Sequence, residues 1–155
     1  MSDSPTINRA ARVLARASPQ LPADAALREE LVAMRQLSPA EKRALSRAVF
    51  VYFRWWRWLE TGASIQTRLA AALDLQARFD HDPGSVKSEA LAARALPDWA
   101  REEIAFQPED LRALQRDPAL WIRGQREFAA SVARVLGHCA PAPGPAAGTG
   151  FRYTG

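Results

Sequence analysis

The chain has a single cysteine, Cys139, among 155 residues. That excludes an internal disulfide and any metal site built from several cysteines. No apolar run approaches the roughly 18 residues that a membrane-spanning helix needs. The start, Met1-Ser2-Asp3-Ser4-Pro5, lacks the charged-then-apolar pattern of a secretory signal. A glycine-rich cofactor loop is missing too. Gly148-Thr149-Gly150 stands in an Ala/Pro/Gly stretch and opens no helix, so it is not one. Lysine is scarce: only Lys42 and Lys87 occur, and every other basic side chain is arginine. These absences fit a cytoplasmic protein with no membrane partner, and they assign no metal and no cofactor to this chain.

The chain has room for one domain, or for one domain and part of another. Its hydrophobic content of 48% is enough for a real core. Net charge is +4 and the sequence pI is about 10.0. Arginine favours bidentate phosphate contacts and stacking on bases. A GC-rich genome, which raises Arg and Ala codons together, explains the same bias without any partner.

One stretch organises the rest. Ser38-Pro39-Ala40-Glu41 combines a capping serine, a proline at the first helical position and an acid placed for a capping box. Beyond it, Leu45, Ala48, Val49, Tyr52, Trp56 and Leu59 fall on one helical stripe. Val51, Trp55 and Trp58 widen that stripe, so the helix is expected to be contacted on more than one side. Burying each large side chain contributes roughly 1.5–3 kcal/mol. Arg43, Arg47, Arg54 and Arg57 collect on the opposite side.

Around this centre the spacing predicts further helices. The first covers about 5–17, with Ile7, Ala10, Ala11 and Leu14 inward and Arg9, Arg12 and Arg16 outward. Asp24 caps a second, which buries Leu27, Leu31 and Met34. Thr61-Gly62-Ala63-Ser64 breaks and recaps the chain before a fourth, carrying Ile65, Leu69, Ala72, Leu73 and Gln76. After a turn at 80–85, shorter helices follow, with Leu91, Ile104, Phe106, Leu111 and Leu114 as apolar anchors. At Asp117-Pro118 the character changes. Residues 119–123 read as a strand, Gln125 to Leu136 as a helix closed by Gly137, residues 140–150 as a linker, and Phe151-Arg152-Tyr153 as the beginning of another strand. A strand–helix–strand fragment cannot complete a sheet, so the chain is expected to stop inside its second unit.

Two stretches carry a resemblance. Leu37-Ser38-Pro39-Ala40-Glu41-Lys42-Arg43 through Val51-Tyr52-Phe53-Arg54-Trp55-Trp56-Arg57-Trp58-Leu59 resembles the N-terminal region of the Sun/RsmB family of RNA cytosine-5 methyltransferases. Leu96-Pro97-Asp98-Trp99, Leu111-Arg112-Ala113-Leu114 and Pro118-Ala119-Leu120-Trp121-Ile122-Arg123 are similar to the segments that follow in that family. Phe151-Arg152-Tyr153-Thr154-Gly155 looks like the stretch before its catalytic domain. The resemblance implies an all-α, NusB-like helical bundle over residues 1–95, connecting helices over 96–117, and an incomplete small α/β RNA-binding subdomain over 118–155. It further implies a monomer that holds RNA, chiefly ribosomal RNA, for a catalytic domain using S-adenosylmethionine. That domain's cofactor loop and nucleophilic cysteine are not in this sequence. Cys139 lies between His138 and Ala140 and does not carry the catalytic role.

The candidate RNA-binding residues are Arg9, Arg12, Arg16, Arg43, Arg47, Arg54, Arg57 and Arg123. Several cations on one rigid surface suit recognition of RNA through its backbone. The competing reading of these faces is a solvated helix face, or docking sites for other parts of a longer protein; a separate alternative is a NusB-like module whose helix faces bind partner proteins as well as RNA. Arg43 and Arg54 also have Glu29, Glu30 and Glu60 as prospective partners. Trp55, Trp56 and Trp58 are expected in the core rather than stacked on bases. His138-Cys139 and Asp80-His81-Asp82 read as loops. The pairs Glu102-Glu103 and Glu109-Asp110 read as acids in first turns of short helices, where they favour the helix dipole.

Overall fold

A computed structural model describes residues 4–142 and 149–153. The chain divides into two compact units, 1–116 and 117–155. It is mostly helical, with one small antiparallel sheet.

The first unit contains α1 (Ser4–Arg16), α2 (Ala23–Ala33), α3 (Pro39–Trp55), α4 (Ile65–His81), α5 (Ser88–Arg94), α6 (Asp98–Glu103) and α7 (Pro108–Leu114). Helix α3 starts as its sequence requires. The Ser38 N–H donates to Glu41 Oε2 at 2.8 Å, and the Glu41 N–H donates to Ser38 Oγ at 3.2 Å. Ser64 caps α4 in the same way, accepting from the Thr67 N–H at 3.1 Å. The cap expected at Asp24 does not form. Pro22 occupies the cap position of α2, without a side-chain bond, and Asp24 lies in the first turn.

Helix α3 packs on α1 and α4, which also meet each other, while α2 closes over α1 and α3. The shared core joins Ala10, Val13, Leu27, Leu45, Val49, Val51, Trp55, Leu69 and Phe79. Trp55, not Trp56, is its centre. Trp55 is fully buried, edge-on to Phe79 at 5.6 Å and to Trp58 at 5.0 Å, whereas Trp56 is 52% exposed. The α-helix ends at Trp55 and tightens into a 3-10 turn over Trp56–Trp58. That turn abandons the 3.6-residue stripe which would have carried Trp56 inward and brings Leu59 down instead.

Helices α5 and α7 pack together, burying Leu91 and Leu111. Ile104 and Leu114, expected as anchors, are exposed. Each stands at the end of a one- or two-turn helix too short to carry an inward stripe. Glu102 and Glu103 end α6 rather than begin it, so the dipole reading holds only for Glu109 and Asp110 in α7. Among the described residues no helix is long and apolar enough to cross a membrane.

The second unit runs β1 (Leu120–Arg123), a 3-10 turn, α8 (Ala129–Leu136), β2 (Cys139–Pro141) and β3 (Gly150–Tyr153). Here the expected strand–helix–strand fragment is corrected. Residues 139–141, read as loop and linker, form a strand, and β3 lies between β1 and β2 in an antiparallel sheet. Of the rest of the expected linker, Gly150 begins β3, and residues 143–148 lie outside the described residues. Gly137 ends α8 with φ +65 and ψ −149, a backbone state that only glycine adopts without strain.

Candidate nucleic-acid interface

The arginines proposed from helical spacing are mostly engaged by partners within the helical unit. On α1, Arg12 pairs with Glu30 at 3.0 Å, Arg16 pairs with Glu29, and Arg9 reaches Glu41 at 3.8 Å. These bonds tie α1 to α2 and to the start of α3. On α3, Arg47 pairs with Asp80 at 2.7 Å and Arg54 donates to Gln76 Oε1 at 2.7 Å. Both run across the seam with α4. Arg57 donates to the Leu96 carbonyl and lies over the Trp56 ring at 5.7 Å. Arg43 is exposed and makes no ion pair among the described residues. The two helical arginine sets therefore serve different seams, and most of their charge is met within the unit. The acids Glu29 and Glu30, considered as partners for Arg43 and Arg54, are taken by α1.

The α3–α4 seam has a polar centre that the sequence pattern placed only as one more inward residue. Gln76 is fully buried. Its Oε1 accepts from Arg54 and from Trp55 Nε1 at 2.9 Å. Its Nε2 donates to Asp80 Oδ1 at 2.7 Å and to the Gln115 carbonyl at 3.2 Å. All the bonding capacity of a buried amide is used, which is the condition under which burial of such a group is tolerated. Arg47 and Arg54 are thus parts of a structural network.

The second unit has the opposite balance. Arg123, Arg126, Arg134 and Arg152 face only two acids in its sequence, Asp117 and Glu127. All four are exposed, and none makes an ion pair among the described residues. Arg123 and Arg126 line an open cleft of about 350 Å³ together with Gly124, Gln125 and Thr149. Of the eight arginines proposed from sequence, Arg123 is the one that falls here.

Protein-family models, curated proteins and solved structures give no match to this chain.

Among the described residues no cluster of three or more His, Cys, Asp or Glu side chains is placed to hold a metal ion. Cys139 is a half-buried thiol within β2. Thr149 and Gly150 lead into β3 and not into a helix, so the backbone amides there are not arrayed as a phosphate loop. What the second unit offers is unneutralised guanidinium on a small sheet. Sequence reasoning passed over Arg126 and Arg152. A strand over 119–123 was readable, but its partner strand β3 and their register were not.

Proposed function

We propose that this chain is the RNA-binding N-terminal portion of an S-adenosylmethionine-dependent RNA cytosine-5 methyltransferase of the Sun/RsmB type. Its helical unit is NusB-like in this reading, and the RNA is ribosomal. The protein acts as a cytoplasmic monomer. Methyl transfer belongs to a catalytic domain that this sequence does not contain. The cofactor belongs there as well, and no residue of this chain is assigned to it.

The observation that carries the RNA reading is the arginine excess of the second unit. Phosphate contacts draw their strength from releasing counterions, so cations without an internal acid contribute most. Arg123 and Arg126, at one cleft, meet that condition, and Arg43 meets it on the helical unit.

The test is binding of a labelled ribosomal RNA stem-loop by fluorescence anisotropy across a salt series. We expect affinity to fall steeply with salt. Each of Arg123→Gln and Arg126→Gln should reduce the logarithmic salt slope by about 1, and the pair Arg12→Gln/Arg16→Gln should leave it unchanged. Absence of binding at about 50 mM salt refutes the RNA reading. The coding sequence beyond codon 155 tests the parent enzyme, which requires a strand, a glycine-rich turn and a proline–cysteine segment there.

One observation favours a second reading, a NusB-like protein-interaction module. Phe50, Phe53 and Trp56 are 53%, 43% and 52% exposed along the outer side of α3 and the turn that follows it. An apolar interface there would bind a partner protein with little dependence on salt.

A further inference from the structure

The register of the small sheet gathers three side chains on its open face. Trp121 stands directly opposite Arg152, which stands opposite Ala140. Arg123 is opposite Gly150. Directly opposed residues share a face, with Cβ atoms about 5 Å apart. Arg123 follows Trp121 at two residues, about 6.6 Å along the same strand. The other face takes Ile122 and Phe151, and Phe151 is buried. On the open face Trp121 is 54% exposed, and both arginines are exposed. Ala140, opposite Arg152, is exposed and carries only a methyl group, while Gly150, opposite Arg123, is buried.

Trp121 thus holds a half-exposed aromatic ring on the face that carries Arg123 and Arg152. Beside it stand two exposed arginines that make no ion pair among the described residues, a combination suited to a partner that offers both a flat ring and negative charge. We propose that this face binds single-stranded RNA, with a base stacked on Trp121, Arg152 against that nucleotide, and a neighbouring phosphate in the Arg123–Arg126 cleft. Stacking is open to any base because every base has a π-face, and it requires the base to be unstacked from its own strand. The bases of a duplex, stacked on one another, do not meet that requirement. The assignment rests on the RNA reading above and narrows it to unpaired segments.

The experiment uses the whole chain with a fluorescein-labelled oligouridine and a duplex RNA of equal length, at low salt. The single strand should bind more tightly than the duplex. Trp121→Ala should weaken single-strand binding about tenfold or more, while duplex binding is unchanged and Trp121→Phe restores most of the loss. A 4-thiouridine version of the oligonucleotide, irradiated on the unaltered protein, should cross-link to the tryptic peptide 117–123 that contains Trp121. That measurement holds even where the alanine variant disturbs folding. Equal single-strand affinity in a folded Trp121→Ala variant, a preference for duplex, or cross-links confined to other peptides overturns the platform while leaving RNA binding in place. No RNA binding at all at low salt removes both readings.

Discussion

Replacing Gln76 with leucine tests whether the α3–α4 seam depends on its buried amide. Leucine has similar bulk and is apolar, so the core keeps its volume while all four hydrogen bonds are lost. Their former partners divide into two classes. Arg54 and Asp80 lie near the surface and turn to water. The Trp55 indole N–H and the Gln115 carbonyl belong to residues 0% and 2% exposed, and they are left buried without partners. An orphaned buried polar group costs about 1–3 kcal/mol, so two cost about 2–6 kcal/mol; set against the roughly 1.5–3 kcal/mol that burying leucine contributes, the net loss is about 1–4 kcal/mol. Against the 5–15 kcal/mol typical of a domain, that is a large fraction. At roughly 4 °C per kcal/mol for a unit of this size, the melting midpoint should fall by about 4–16 °C. Circular dichroism at 222 nm follows it, because that signal comes from the helices. The companion variant Trp55→Phe removes the indole donor while keeping an aromatic ring against Phe79. In the double variant Gln76→Leu should then cost less than it does alone, by a coupling of about 1 kcal/mol or more. Additive effects, or a fall of under 3 °C for Gln76→Leu, would show that the amide is not holding the seam.

Two further predictions concern chain geometry. Ser38→Ala removes the acceptor for the Glu41 N–H and should destabilise the helical unit by about 1 kcal/mol, read from urea unfolding; Ser38→Gly should cost only a few tenths. Gly137→Ala forces a Cβ onto φ +65, ψ −149 and should cost about 1–3 kcal/mol in the second unit, seen as faster amide exchange at Ile122 and Phe151 with the core of α3 unaffected.

The helical unit was legible where local chemistry and periodicity agree. Ser38 with Glu41 announces α3, Ser64 announces α4, and the inward positions Ala10, Leu45, Val49, Leu69 and Ala72 follow the 3.6-residue period. Legibility fails where the period itself changes. Trp56 satisfies an ideal stripe, but the helix tightens one residue earlier, and no propensity marks that step within an aromatic run. Ile104 and Leu114 fail because helices of six and seven residues end before a face is established. Strand β2 fails for a different reason. Cys139-Ala140-Pro141 has no strand composition, and its extended form is held by pairing with β3 ten residues on, which is tertiary information.

The candidate site was the least legible part, and the cause is electrostatic. Helical spacing says which arginines share a side, but it is silent on what stands across from them. A guanidinium 3.0 Å from a carboxylate, as Arg12 is from Glu30, presents little net charge to an approaching phosphate. To bind there, RNA must displace the acid, which then repels it. The same holds for Arg16 and Arg47. The number of arginines on a helix therefore overstates the number of phosphates it can hold. What counts is arginine minus the acids within reach, and those acids come from other helices far away in sequence. By that measure the lysine-poor, arginine-rich composition divides between two tasks. Most of the arginines on α1 and α3 fasten helices together, where a planar, permanently charged fork suits bonding across a seam. Those on and around the three-stranded sheet are exposed and make no ion pair among the described residues, which is why the proposed RNA site is sought there. A nucleic-acid surface on this chain is accordingly expected where acids are fewest, not where arginines are most numerous.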